Sequence, residues 1–115
     1  MNKPNSLIRL NVGGDIFFTY YETLYSSRYF RVLLNNMQLV KNMTVDEDRI
    51  FIDRSKELFK YVLQFLRVRH LNLGQKDSDF LDDLREEALF YGINDLVEFV
   101  EAEMNSDDYY SDWER

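Results

Sequence analysis

A single domain of mixed α/β class is what the sequence predicts, and three observations predict it. Two β-rich runs, Leu7 to Val12 and Asp15 to Tyr20, flank Gly13-Gly14, a pair that suits a tight hairpin. Arg49 to Arg69 reads as a short strand feeding a long helix, with an apolar arc wider than one packed side needs. Two further helical patterns follow Ser78 and are separated at Gly92. The 115 residues make one domain, and a chain of that length buries about two thirds of its unfolded surface, enough for a core of its own. The expected organisation is an N-terminal arm over 1–6, the domain over 7–104 and an acidic, disordered tail over 105–115.

In the first strand Leu7, Arg9 and Asn11 point outward or edgewise while Ile8, Leu10 and Val12 point inward. Gly13-Gly14 supplies the positive φ that a two-residue hairpin loop requires. A phosphate cradle is the weaker reading of these glycines, because the GxGxxG spacing and a following Lys-Ser/Thr are lacking and Asp15 repels an anion. Glu22 to Asn36 carries Leu24, Tyr29, Phe30, Leu33 and Leu34 at helical spacing and is expected to break into two short helices around Ser26-Ser27. Gln38 to Asp48 has no sustained period and reads as a loop, with Met37, Leu39, Val40 and Met43 exposed.

Ile50, Phe51 and Ile52 suit a pleated, half-buried strand, which Asp53-Arg54-Ser55 ends. Ser55 is the expected N-cap, with Glu57 at the positive end of the helix dipole and Arg67 and Arg69 toward the negative end. Leu58, Val62, Phe65 and Leu66 form one stripe and Phe59 and Leu63 a second, so this helix is expected in the core. Leu71 to Asp77 is a linker. Ser78 is read as the cap of a helix that buries Phe80 or Leu81, then Leu84, Ala88 and Tyr91. Gly92 sits where a C′ glycine ends that helix, Ile93 supplies the accompanying apolar contact, and Asn94 caps a last helix with Leu96, Val97, Val100 and Met104 inward.

Charge narrows the function. The net charge is −7, and after Val100 six acids against Arg115 give 6 − 1 = 5 of those negative charges. Nucleic acid is excluded as a partner because its affinity rests on clustered Lys and Arg, and anionic membrane surfaces are disfavoured for the same reason. No apolar run reaches a membrane span, and Met1 to Ser6 lack the apolar core of a signal peptide. With no cysteine, a reducing setting is expected, cytoplasmic with the nucleus as the alternative.

No enzymatic site is expected. A nucleophile–base pair would have to use His70, the sole histidine, at the end of a helix carrying Arg67 and Arg69, where it reads as a solvated side chain. Asp46, Asp48 and Asp53 imitate part of a calcium loop, but the glycine at the sixth position is missing and Ile50 stands where a ligand belongs. Asp82-Asp83 and Glu86-Glu87 read as a solvated helix face. No catalytic residue, metal or cofactor is expected.

Three blocks carry a resemblance. Leu10-Asn11-Val12-Gly13-Gly14 with Phe17, Thr19 and Thr23-Leu24 resembles the opening of the potassium-channel tetramerisation domain, a branch of the BTB/POZ superfamily. Phe51-Ile52-Asp53-Arg54, Leu58-Phe59, Tyr61, Leu63, Phe65-Leu66-Arg67 and Leu71 resemble its second block, and Leu84, Glu87-Ala88, Phe90-Tyr91 and Ile93 its third. Lys56 stands where glycine or proline is common, and Arg69 where a glycine usually ends the helix.

The resemblance implies an α/β (α+β) domain, a small sheet flanked by helices, that self-associates into rings of four or five copies. The zinc-bearing channel branch does not fit a chain with one histidine and no cysteine, so the soluble KCTD-like branch is the nearer one. Members of that branch often act as adapters of cullin-3 ubiquitin ligases, which makes cullin-3 the expected partner. A bare module that clusters itself or mixes with related chains is the alternative, and the short chain favours it. Asn11, Asp15, Asp53, Arg54 and Arg85 include the family's polar positions and are expected to pair across subunits, although Asp53 also reads as a local strand end and cap. Tyr29, Phe30, Leu34, Met37 and Leu39 lie in the region that resembles the cullin-facing one, and for Tyr29 and Phe30 a core role is the competing reading. The tail, with Tyr109, Tyr110 and Trp113, reads either as a peptide recruiting element or as a solubilising end.

Overall fold

The structure is a computed structural model that describes residues 7–36 and 50–113. Strand β1 (Leu7–Val12) turns at Gly13-Gly14 into β2 (Asp15–Tyr20), and a short helix α1 (Tyr21–Leu24) and α2 (Arg28–Asn35) follow. Strand β3 (Ile50–Ile52) leads into α3 (Lys56–Val68), and α4 (Ser78–Phe90) and α5 (Asn94–Trp113) complete the order. The break between α1 and α2 falls where the sequence predicts it. The expected loop and its exposed Met37, Leu39, Val40 and Met43 lie outside the described residues, and α5 runs through residues read from sequence as tail.

The three strands form one sheet in the order β2-β1-β3. β1 and β2 are an antiparallel hairpin in the register Leu7↔Tyr20 to Val12↔Asp15, whereas β1 and β3 run parallel, with Leu10 opposite Ile50 and Val12 opposite Ile52. Strand alternation sends Ile8, Leu10, Val12, Ile50 and Ile52 to the helical side, all buried. Gly13 sits at φ 60, and a Cβ there would stand 2.5 Å from the Arg54 carbonyl oxygen. The hairpin turn therefore rests on the β3–α3 junction with no room for a side chain. A hydrogen bond from Gly13 N to Ile52 O at 3.0 Å holds it there.

Helix α3 is the core helix. Phe59, Val62, Leu63, Phe65 and Leu66 are all buried, so both stripes find partners. Ser55 caps it as expected, its hydroxyl accepting from Leu58 N at 3.1 Å. At the other end Arg69 takes the left-handed conformation, φ 62, that a glycine normally fills. The cap of α4 is one residue earlier than the sequence suggests. Asp77, not Ser78, accepts from Phe80 N, at 2.9 Å, because its carboxylate is the stronger acceptor toward the positive helix end. The linker before it is pinned by Leu71 and Leu73, both buried.

An aromatic centre joins these pieces. Phe30 of α2 stacks on Tyr91 at a centroid distance of 5.5 Å, and Phe59 of α3 meets Tyr91 at 5.4 Å. Ser27, fully buried, accepts from Phe30 N and donates to the Tyr91 carbonyl at 2.6 Å, tying the start of α2 to the end of α4.

Candidate functional site

The sheet buries one face and leaves the other apolar. On β1 the outward residues are Leu7, Arg9 and Asn11, as the alternation predicts, and their cross-strand partners on β2 are Tyr20, Phe18 and Ile16. Phe51 of β3, paired with Asn11, completes the face. Leu7, Ile16, Phe18, Tyr20 and Phe51 are between 43% and 62% exposed. A sheet face open to water normally carries polar side chains, so five large apolar residues in adjacent register positions are an unusual exposed patch. Sequence reasoning missed Ile16, Phe18, Tyr20 and Phe51 in this role. The signal was there in the alternation of β2 and in the apolar triplet of β3, where one residue of three must face away from the core.

Among the polar residues read as pairing across subunits, Arg54 and Arg85 have partners within the protomer. Arg54 forms a two-pronged pair with Glu87, at 2.7 and 3.3 Å, and lies over the Phe90 ring at 4.1 Å. Arg85 donates to Glu101 at 2.7 Å. Glu87 is buried, which corrects its reading as part of a solvated helix face: the 84–87–91 spacing puts it on the inward stripe of α4. The Asn11 side chain accepts from Gly14 N at 2.9 Å, and Asp15 faces Lys56 at 3.7 Å. Asp53 is exposed and, among the described residues, its carboxylate has no partner.

With this geometry the comparisons agree. A BTB/POZ domain model matches residues 8–100. The chain belongs to the BTB/POZ family. It is 40% identical over 97 residues to the potassium channel regulatory protein of Homo sapiens, covering 82% of this chain and 34% of that protein. It is 38% identical over 96 residues to the BTB/POZ domain-containing protein KCTD21 of Homo sapiens, covering 82% of this chain and 36% of that protein. The chain thus spans about a third of the length of the curated relatives it matches. The BTB domain of zebrafish PATZ1 shares the fold, with a TM-score of 0.67 at 16% identity over 86% of this chain and 75% of that one. As a BTB/POZ domain of the potassium-channel tetramerisation type, this is a protein–protein interaction module.

The residues expected as a partner surface divide between core and exterior. Phe30 is buried with its ring against Phe59 and Tyr91, the core role that competed with its reading as partner surface, and Leu34, read as partner surface, is corrected to a buried core residue because it lies one turn on along the same stripe of α2. Tyr29 is half-buried, its ring 4.8 Å from Phe90 and 5.5 Å from Tyr91. Val32, 54% exposed, is the apolar residue that α2 does present. Met37 and Leu39 lie outside the described residues. Burial raises the Tyr91 hydroxyl well above the tyrosine range, reinforced by Glu87 and Tyr29 and opposed by Arg54. The Tyr29 hydroxyl is raised by burial and held back by Arg54. Among the described residues no group of three or more His, Cys, Asp or Glu is placed to hold a metal, and no helix is long and apolar enough to cross a membrane.

Proposed function

We propose that the chain is a homo-oligomeric interaction domain that serves as an adapter of a cullin-3 ubiquitin ligase in the cytoplasm. The observation that carries the self-association is the apolar outer face of the sheet, Leu7, Ile16, Phe18, Tyr20 and Phe51 around Arg9. Leaving such a face in water forgoes about 25 cal/mol for every Å² that a second copy could cover. Asp53, exposed and without a partner among the described residues, is the polar residue proposed to fix how copies meet, with Asn11 and Asp15 beside the same hairpin. The family supports both parts of the reading. For cullin-3, the surface proposed is Tyr29 and Val32 on α2 together with Met37 and Leu39 after it.

Multi-angle light scattering of the purified chain, alone and mixed with a cullin-3 N-terminal domain, tests both parts. The expected outcome is a mass of four or five chains that shifts upward and co-elutes with the cullin fragment. An oligomer that ignores cullin-3 selects the bare clustering module instead. A monomer at every micromolar concentration overturns self-association.

A further inference from the structure

Three arginines, Arg28 and Arg31 of α2 and Arg69 at the end of α3, line one cavity. The cavity, about 450 Å³, lies where the α1–α2 corner meets the C-terminus of α3 and the start of α5, and its walls include Ser26, Arg28, Arg31, Arg69, Asn94 and Asp95. Counting the charged side chains gives 3 − 1 = +2 in a chain whose net charge is −7. The size suits a small ligand group.

Arg31 and Arg69 are held by contacts of their own, and all three guanidiniums keep donors free. Arg31 spends Nη1 on the Tyr25 carbonyl at 2.8 Å and rests against the Tyr25 ring. Arg69 pairs with Asp95, reaches Ser26 Oγ at 3.3 Å and lies over the Phe65 ring. The Arg28 side chain has no partner among the described residues, yet its backbone is fixed, with N donating to Gly92 O at 3.3 Å. Gly92, at φ 65, lets the α4–α5 corner approach so closely that a Cβ there would stand 2.8 Å from Arg28 Cβ. A guanidinium offers five donors in a planar fork, so one bond to a carbonyl or a carboxylate leaves others for a ligand. Arg69 is also the one non-glycine residue of positive φ among the described residues. Glycine is the cheaper choice for that backbone, and it would remove a guanidinium from the cavity.

We propose that this cavity binds a phosphate dianion, with Arg28 and Arg31 from α2 and Arg69 from the end of α3 donating to its oxygens. A dianion with three terminal oxygens can take bonds from three guanidiniums where a carboxylate offers only two oxygens, and Asp95 already supplies Arg69 with a carboxylate. The dianion is either free phosphate or a phosphorylated side chain of a partner peptide, and the same oxygens are recognised in both.

Isothermal titration calorimetry on the full chain at constant ionic strength tests this, with inorganic phosphate in one arm and a phosphoserine peptide in the other. Saturable binding in either arm is expected, and the tighter arm identifies the source. Arg69→Gly suits the backbone at that position, so the circular dichroism spectrum should be unchanged while affinity falls by about tenfold or more. Arg28→Ala should do the same, and Lys60→Ala, a charge removed elsewhere on α3, should bind as the parent does. The proposal is overturned if neither arm saturates, if Arg69→Gly and Arg28→Ala bind unchanged, or if Lys60→Ala weakens binding equally.

Discussion

Arg54 and Glu87 stand 33 positions apart in the chain and meet at 2.7 Å, a pairing that residue types alone do not reveal. Sequence reasoning singled out Arg54 as one of the polar positions of the family blocks and expected it to pair across subunits. The acid that it does pair with was legible as an inward position of α4, but a glutamate beside Glu86 reads as solvated unless a cation is known to lie opposite. Glu87 is 9% exposed and Arg54 32%, so removing the acid strands a cation that still has some water. Glu87→Ala is therefore expected to cost about 2 kcal/mol in urea unfolding, below the loss for a fully buried pair. Tyr91 offers a second test. Its hydroxyl, raised by burial first, stays protonated in the folded chain where an unfolded tyrosine ionises, near pH of about 10. Its contribution is complete below that pH and is lost as pH rises beyond it. No protein group among the described residues bonds this hydroxyl. Tyr91→Phe should accordingly leave neutral-pH stability within about 1 kcal/mol of the parent and flatten the alkaline fall in denaturation midpoints.

Elements were more legible than pairs, since a strand or helix is written in local periodicity and caps. The hairpin at Gly13-Gly14, the strand at 50–52 and the Ser55 cap of α3 follow from a few adjacent residues, and the structure has each. Where two acceptors adjoin, as at Asp77-Ser78, local rules leave the choice to electrostatics, and the boundary moved by one. The end of α3 shows a harder limit. Arg69 lacks the glycine that marks such a cap, and the partners of its guanidinium, Ser26 and Asp95, lie far off in sequence. Caps also differ in weight. Ser55 closes a helix end near the surface, whereas Ser27 is fully buried and serves as acceptor for Phe30 N and donor to the Tyr91 carbonyl. Ser55→Ala should cost about 1 kcal/mol and Ser27→Ala about 2 to 3 kcal/mol, as the cap and the buried hydroxyl donor to the Tyr91 carbonyl are lost together. Equal losses in thermal or urea unfolding would show that the link between α2 and α4 adds nothing beyond capping.

At the scale of the molecule, the family blocks pointed to an interaction domain, but the apolar outer face of the sheet was not among the residues chosen from sequence. Polar positions drew attention because a charged residue in a family motif looks purposeful, and apolar ones were assigned to the core because most belong there. The sheet breaks that assumption. Its inner face takes Leu10, Val12, Ile50 and Ile52 at full burial, and its outer face still holds Phe18 and Phe51 at 53% and 60% exposure. The two flank the central strand, opposite Arg9 and Asn11, so a substitution at either alters the outer face without reaching the core. Phe18→Asp with Phe51→Asp places two carboxylates where a second copy would bring apolar surface, and desolvating an unpaired charge costs several kcal/mol. The expected outcome is a chain that unfolds at a temperature close to the parent's yet scatters light as a monomer. Arg54→Glu supplies the contrast, because its partner Glu87 lies within the same protomer and the like charges should lower stability instead of dividing the assembly. If the double aspartate variant keeps the parent's oligomeric mass, copies meet elsewhere and the apolar sheet face is cover for a different protein.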